Sequence, residues 1–281
     1  MAPVIWGCLI LVASQTFTIF TALREKNFVE MHQIVPPQVH LGIPLAYFFV
    51  TVLLWGVIFA VIPMSKLRIA LKILFTLLFS WGLFIPLGLL LPIPLAAIIS
   101  ITGVLLWFFQ PVVWGHNLLL VFALVSMGSV FGLLLSPLTA VSFMLVISVY
   151  DLLAVRFGYM MWMARKLSQS DALPAFVIPR KTAGWSLNLK EAGFMKLFED
   201  KSAEREFSIL GGGDIGFPLL LVVSILFAHG FASAVIVAVF SLLGLISAYL
   251  IQMFFLKDKP MPALPPISFM SLIGFLIVYY I

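Results

Sequence analysis

Charged residues are scarce in this sequence, and cysteine is almost absent. Of its 281 residues 10% are charged, and the single cysteine is Cys8. One cysteine excludes a disulfide framework and a thiolate metal site. The sequence also lacks the H-E-x-x-H motif of zinc proteases and the G-x-S-x-G motif of serine hydrolases. Its basic residues form no patch interleaved with aromatic residues, so a nucleic-acid partner is not expected.

Apolar residues dominate what is present. They make up 63% of the chain, and the mean hydropathy is +1.19, which is typical of an all-α polytopic membrane protein. A membrane-spanning helix needs about 20 apolar residues, and nine such runs can be placed. They lie near residues 3–22, 41–63, 68–90, 92–111, 114–135, 137–161, 207–229, 231–255 and 263–281. Eight or ten spans remain open, because only prolines and a glycine separate the third run from the fourth.

One long polar segment divides the nine runs into six and three. It predicts an N-terminal part (1–164), a loop (165–206) and a C-terminal part (207–281). Lys and Arg are concentrated in this loop and in the other even-numbered loops, so the positive-inside rule predicts a cytoplasmic N-terminus and a cytoplasmic 165–206 loop. Within the loop, Pro174–Lys181 is a short apolar run between prolines, which is typical of a strand or an extended segment.

Two acidic residues fall inside predicted spans, while the other nine fall in loops or at span ends. Asp151 lies five residues before Arg156, and Asp214 lies seven residues after Phe207. At 1.5 Å per residue both carboxyl groups lie roughly 8 to 10 Å below the same membrane face. Two such carboxyls side by side share a proton, so that one can act as a base on water while the other acts as an acid. Aspartic proteases use this arrangement.

Glycines and prolines surround these acids. Without side chains, Gly211, Gly212 and Gly213 allow another backbone to approach the start of the seventh span. Prolines in Lys257–Pro266 leave backbone groups unpaired where the last span begins, which is tolerated only inside protein or beside a wet cavity. Elsewhere, Gly128–Gly132 fits a helix-packing motif. His116 and His229 lie near span ends and are interpreted as interfacial side chains.

Three motifs occur in one order: Tyr150-Asp151, the G-x-G-D sequence Gly211-Gly212-Gly213-Asp214, and Pro262-Ala263-Leu264. In this order, over nine spans, the chain resembles the presenilin and signal peptide peptidase family of intramembrane aspartyl proteases, and most closely its archaeal presenilin-like members. The resemblance covers essentially the whole chain. Its orientation resembles that of presenilin, whereas signal peptide peptidase is inverted.

The resemblance implies a function and a site. It implies an aspartic endopeptidase, a hydrolase that cleaves single-span transmembrane proteins or peptides within the bilayer. Asp151 and Asp214 would be catalytic, and the remaining residues of the three motifs, namely Tyr150, Gly211, Gly212, Gly213, Pro262, Ala263 and Leu264, would line the site or bind substrate. No metal, cofactor or obligate accessory subunit is expected. The expected location is an archaeal or bacterial plasma membrane.

Two other functions are compatible with some of these residues. A transporter or channel could use Asp151 and Asp214 to carry protons or cations, but transporters usually have repeated halves and this sequence shows no repeat. A related G-x-G-D peptidase for pilin-like precursors would have fewer spans and no Pro-Ala-Leu segment. The sequence therefore favours the intramembrane protease.

Overall fold

The structure is almost entirely helical, as the sequence predicts. The computed structural model describes residues 2–167, 173–189, 207–256 and 261–280. In chain order the α-helices are α1 (Ala2–Met31), α2 (Gly42–Val61), α3 (Met64–Gly88), α4 (Ile93–Phe109), α5 (Val113–Leu134), α6 (Pro137–Arg156), α7 (Tyr159–Leu167), α8 (Gly212–His229), α9 (Phe231–Ile251) and α10 (Leu264–Tyr280). A two-stranded sheet is formed by β1 (Ala175–Pro179) and β2 (Phe207–Gly211), and a 3-10 helix covers Thr182–Ser186.

Among the described residues, 7 helices are long and apolar enough to cross a membrane. Two shorter apolar helices, α4 and α10, occupy the fourth and ninth predicted runs. The protein is therefore an integral, multi-pass membrane protein, while the count of nine spans stays a prediction.

Several helix ends differ from those predicted. The first predicted run stopped at residue 22, but α1 continues to Met31. The sixth predicted run continued to residue 161, but α6 ends at Arg156 and Gly158 turns the chain with φ 75° before α7 begins. The seventh run was predicted to be helical from residue 207, but Phe207–Gly211 is a strand because it pairs with β1.

The segment Ala175–Pro179 is a strand, as its short apolar run between prolines predicts. It pairs antiparallel with β2, and Ala175 lies opposite Gly211 while Pro179 lies opposite Phe207. All five residues of β1 are buried. The three-part division of the chain stays a prediction.

Helices α5 and α8 lie at the centre of the bundle, and the predicted packing motif in α5 brings them together. A Cβ on Gly128 would lie 2.8 Å from the Leu219 side chain, and one on Gly132 would lie 2.6 Å from the Val223 side chain. Such separations leave no room for a methyl group. The packing interpretation of Gly128–Gly132 is therefore confirmed, and α8 is held against α5 along two helical turns.

A third carboxyl group lies inside the bundle, in addition to the two aspartates identified from the sequence. Glu25 of α1 is only 9% exposed, and its Oε1 atom accepts a hydrogen bond of 2.9 Å from Ser129 Oγ of α5. The sequence predicts that Glu25 lies in the first loop, because the predicted first span stops at residue 22. The continuation of α1 beyond residue 22 places Glu25 within the helix and against α5.

The close contact between α5 and α8 predicts how Gly132→Val changes stability. The Cβ of the added isopropyl group would overlap the Val223 side chain, so the free energy of unfolding should fall by about 1–3 kcal/mol. Thermal unfolding in detergent should show a lower Tm. Gly42→Val is the matched control, because nothing lies within 4 Å of a Cβ at Gly42. Equal Tm values for the two variants would contradict the packing argument.

Candidate active site

Asp214 lies in the first turn of α8, directly after β2. The helix begins at Gly212, so Asp214 is its third residue, rather than the eighth residue of a helix beginning at Phe207. Asp214 as a residue is half-buried, and its carboxyl group interacts with the backbone of Gly211, just before the helix, and with the backbone of Leu264. The end of β2 therefore sets the position of the Asp214 carboxyl group.

Asp151 lies in the second-to-last turn of α6. It is half-buried, and its carboxyl group also interacts with the backbone of Leu264. Its neighbour Tyr150 does not share this contact. The Tyr150 ring lies edge-on to Phe48 and Phe49 of α2, with ring centroids 5.4 Å and 6.1 Å apart. Tyr150 thus joins α6 to α2 beside the aspartate.

The backbone of Leu264 is the point at which the two aspartates meet. Leu264 is the first residue of α10, and the first amides of a helix have no partner within that helix. The three proline-motif residues differ in exposure: Pro262 is buried, Ala263 is half-buried, and Leu264 is 2% exposed. Helix α10 is held by α9, where a Cβ on Gly244 would lie 2.5 Å from Ile267 Cα.

The two carboxyl groups are close enough for their charges to interact. Helices α6 and α8 pack together, and the rings of Phe143 and Phe217 meet edge-on with centroids 5.7 Å apart. The structure therefore brings Asp151 and Asp214 to one place, with α10 contributing a backbone amide between them. Two interacting carboxyls titrate as a pair, and one can hold a proton while the other accepts one.

The three glycines before Asp214 have different surroundings. A Cβ on Gly211 would lie 2.9 Å from Asp214 Oδ2, and one on Gly212 would lie 2.9 Å from the carbonyl oxygen of Pro174. The Gly212 amide donates a 2.9 Å hydrogen bond to that oxygen. Gly213 is exposed, and its Cβ would lie 3.1 Å from the Phe217 ring. The close backbone approach expected from the sequence occurs at Gly212.

Two polar residues of α5 hold the sheet that leads to Asp214, and sequence reasoning missed both roles. His116 is 0% exposed, so its interpretation as an interfacial side chain is wrong, whereas His229 is exposed at the end of α8. His116 and Asn117 bond to the backbone of β1. Adjacent His and Asn in an apolar span were the available signal, because polar side chains at such positions need partners.

No group of three or more His, Cys, Asp or Glu side chains that could hold a metal ion occurs in the described parts of the chain. Glu25 of α1 bonds to Ser129 of α5 and is not part of the aspartate pair. The candidate active site therefore consists of the two aspartates and the backbone amide of Leu264.

Comparisons with known proteins identify the family and the fold. The model of the family described as signal-peptide peptidase, presenilin aspartyl protease matches residues 7–281. A solved presenilin family intramembrane aspartate protease, crystallised in space group C222, has 20% sequence identity and a TM-score of 0.66, over 99% of each chain. A structure described in the same words, in space group P2, has 21% identity and a TM-score of 0.60, over 100% of this chain and 98% of the other. No curated protein matches the chain.

The family match and the shared fold together define the class of this protein as an intramembrane aspartyl protease. Because the family model covers nearly the whole sequence, this chain belongs to the signal-peptide peptidase and presenilin family of aspartyl proteases. The two solved structures share its fold.

The contact at Gly212 predicts the effect of Gly212→Ala. The new methyl group would crowd the Pro174 carbonyl and weaken the hydrogen bond between the two residues, so the start of α8 would move. The kcat/KM of peptide cleavage should fall by roughly tenfold or more. Gly213→Ala should lose less, because its methyl group faces the movable edge of the Phe217 ring. A larger loss for Gly213→Ala than for Gly212→Ala would contradict this account.

Proposed function

We propose that this protein is an endopeptidase that hydrolyses peptide bonds within transmembrane helices by means of Asp151 and Asp214. The observation that carries the proposal is the meeting of both carboxyl groups at the backbone of Leu264. The proposed site also includes Tyr150, which packs beside Asp151. The remaining site residues are the glycines and the proline-motif residues Gly211, Gly212, Gly213, Pro262, Ala263 and Leu264.

The proposed chemistry requires one ionised and one protonated aspartate. The ionised carboxylate removes a proton from a water molecule, whose oxygen attacks the carbonyl carbon of the substrate peptide bond. The protonated carboxyl group donates its hydrogen bond to the carbonyl oxygen. Proton transfer to the amide nitrogen then breaks the C–N bond and releases an amine and a carboxylic acid. Water is the only co-reactant.

Substrate must be extended before this step, because the peptide groups of a helix are shielded by its own hydrogen bonds. The strand β2 ends at Gly211, three residues before Asp214. A substrate segment that added to the sheet as a further strand would therefore run toward the two carboxyl groups. Single-span membrane proteins or peptides are the substrates that such a site could admit.

The family assignment favours proteolysis over transport, since the matching family consists of aspartyl proteases. We further propose that the N-terminus and the 165–206 loop are cytoplasmic, and that the membrane is an archaeal or bacterial plasma membrane. These proposals rest on the distribution of Lys and Arg and on the sequence resemblance. Activity without a metal, a cofactor or an accessory subunit is part of the same proposal.

The proposal predicts the effects of Asp151→Asn and Asp214→Asn. An amide cannot act as the base or as the acid of the pair, so each variant should lose cleavage by roughly 10³-fold or more. Purified protein would be mixed with a model single-span substrate, and the products would be identified by mass spectrometry. Glu25→Gln is the matched control: it also replaces a membrane carboxyl group, its amide oxygen can accept the Ser129 hydrogen bond, and cleavage should persist.

Substantial turnover by a folded Asp151→Asn or Asp214→Asn protein would remove that residue from the mechanism. No cleavage by folded wild-type protein, over several substrates and pH values, would favour transport by the two aspartates. A proton-flux measurement in liposomes would then test that function.

A shared proton also predicts the pH dependence of cleavage. The active form carries one proton on the pair, so kcat should fall at low pH, where both carboxyls are protonated, and at high pH, where both are ionised. Initial rates across acid to alkaline pH should give a bell, with protein stability measured at each pH as the control. A flat profile would contradict the shared-proton mechanism.

A further inference from the structure

The strand β1 has hydrogen-bonding partners along both of its edges. On one edge it pairs with β2. On the other edge Asn117 Nδ2 donates to the Val177 carbonyl oxygen at 2.7 Å, and the Val177 amide donates to Asn117 Oδ1 at 3.0 Å. His116 Nε2 donates to the Ala175 carbonyl oxygen at 3.2 Å. Side chains of α5 thus take the place of a neighbouring strand.

The side-chain amide of Asn117 satisfies both the backbone donor and the backbone acceptor of Val177. A primary amide offers an N–H donor and a carbonyl acceptor side by side, as a peptide group of a neighbouring strand does. Asn117 is 5% exposed and Val177 is 0% exposed. Water therefore has no access to replace these two bonds, and the loss of the amide would leave both backbone groups of Val177 unpaired.

This contact occupies the second edge of β1, so the outer edge of β2 is the remaining edge of the two-stranded sheet. In an antiparallel pair, residues alternate between those that bond to the partner strand and those that face away from it. Val177 faces Asn117, so its partner across the sheet, Ile209, also directs its amide and carbonyl away from β1. Among the described residues, no backbone or side-chain hydrogen bond reaches Ile209 from that side. Ile209 lies five residues before Asp214.

The same strand is tied to the start of α8. The residue before β1, Pro174, accepts the hydrogen bond from the Gly212 amide at 2.9 Å. Since Gly212 is two residues from Asp214, a displacement of β1 would be transmitted to the first turn of α8. Asn117 therefore acts on the aspartate pair through β1 and does not touch it.

Helix α5 supports this arrangement at a second place. The Val113 amide donates to the Leu187 carbonyl at 3.1 Å, and the Leu189 amide donates to the Pro111 carbonyl at 2.8 Å. The chain that follows the 3-10 helix is thus bonded to the beginning of α5. The Gly128 and Gly132 contacts hold the same helix against α8. One helix consequently orients both the sheet and the helix that carries Asp214.

We propose that Asn117 is a positioning residue for substrate: it fixes β1 in the absence of substrate, and so leaves the outer edge of β2, at Ile209, as the edge to which substrate pairs. The role in cleavage rests on the proposed protease function, whereas the role in holding β1 does not. Asn117 therefore sets the register between substrate and the aspartate pair, and with it the peptide bond that is cut.

The first experiment measures hydrogen exchange of peptides covering residues 173–180 in purified protein without substrate. In the wild type the Val177 amide should be protected, and Asn117→Leu should accelerate its exchange at least tenfold, because leucine removes both bonds at similar size. Ser126→Ala is the matched control. Ser126 is a buried polar residue of the same helix whose Oγ donates to the Gly82 carbonyl at 2.6 Å, remote from β1. Unchanged exchange of β1 in Asn117→Leu would overturn the proposal.

The second experiment maps cleavage sites and kinetics with a model single-span substrate. Asn117→Leu should raise KM by roughly tenfold and should spread the cuts over neighbouring peptide bonds. Ser126→Ala should lower Tm while keeping the wild-type KM and cut site. A wild-type cut pattern in Asn117→Leu would overturn the role in substrate register, because lost stability alone does not move a cut site.

If Asn117→Leu does not fold, Asn117→Ala replaces it in both experiments, because the smaller side chain leaves space for water beside Val177. The two experiments separate the two proposals. Accelerated exchange of β1 together with no cleavage by the wild type would contradict the protease function and support the role of Asn117 in the fold. Normal exchange together with normal cleavage would contradict the role of Asn117 and support the protease.

Discussion

Backbone amides and carbonyls inside a bilayer must find partners within the protein, because lipid offers none. The region around the two aspartates depends on this requirement. The proline-rich segment before α10 leaves the Leu264 amide without a partner inside the helix. The carboxyl groups of Asp151 and Asp214 bond to the Leu264 backbone instead. The Gly212 amide bonds to Pro174, and Val177 bonds to Asn117. Backbone groups that lack a partner in their own helix or strand are thus bonded to residues of other segments, and these bonds hold the site together.

The arrangement also shows how a rigid bundle can hold an irregular segment. Helix α5 packs closely on α8 through Gly128 and Gly132, and its first turns bond to the strand and to Leu187. A two-stranded sheet is only marginally stable by itself. The central helix α5 therefore restricts the conformations that this sheet can adopt. This restriction matters for a protease that must accept an extended substrate, because an edge without a fixed position could not select a peptide bond.

Much of this organisation was predictable from local sequence. The apolar runs identified the helices, the proline-bounded run identified β1, and the spacing of Gly128 and Gly132 identified a packing face. The predictions that were wrong concern residues whose structure depends on contacts with distant parts of the chain. Residue 207 begins a strand because β1 lies beside it, and apolar composition alone could not distinguish this from a helix. His116 was interpreted as interfacial because its neighbours in sequence place it near a span end, whereas the fold covers it with β1.

The sequence by itself determined the class of protein, its family and the two aspartates of the proposed site, because hydropathy and three short motifs are properties of neighbouring residues. Only the tertiary structure decided that both carboxyl groups meet at Leu264, that Glu25 is buried, and that Asn117 occupies the second edge of β1. These contacts join residues from 50 to more than 100 positions apart, from the Asp214 and Leu264 contact to that of Glu25 with Ser129. Their partners are selected by the packing of helices, which no local pattern encodes.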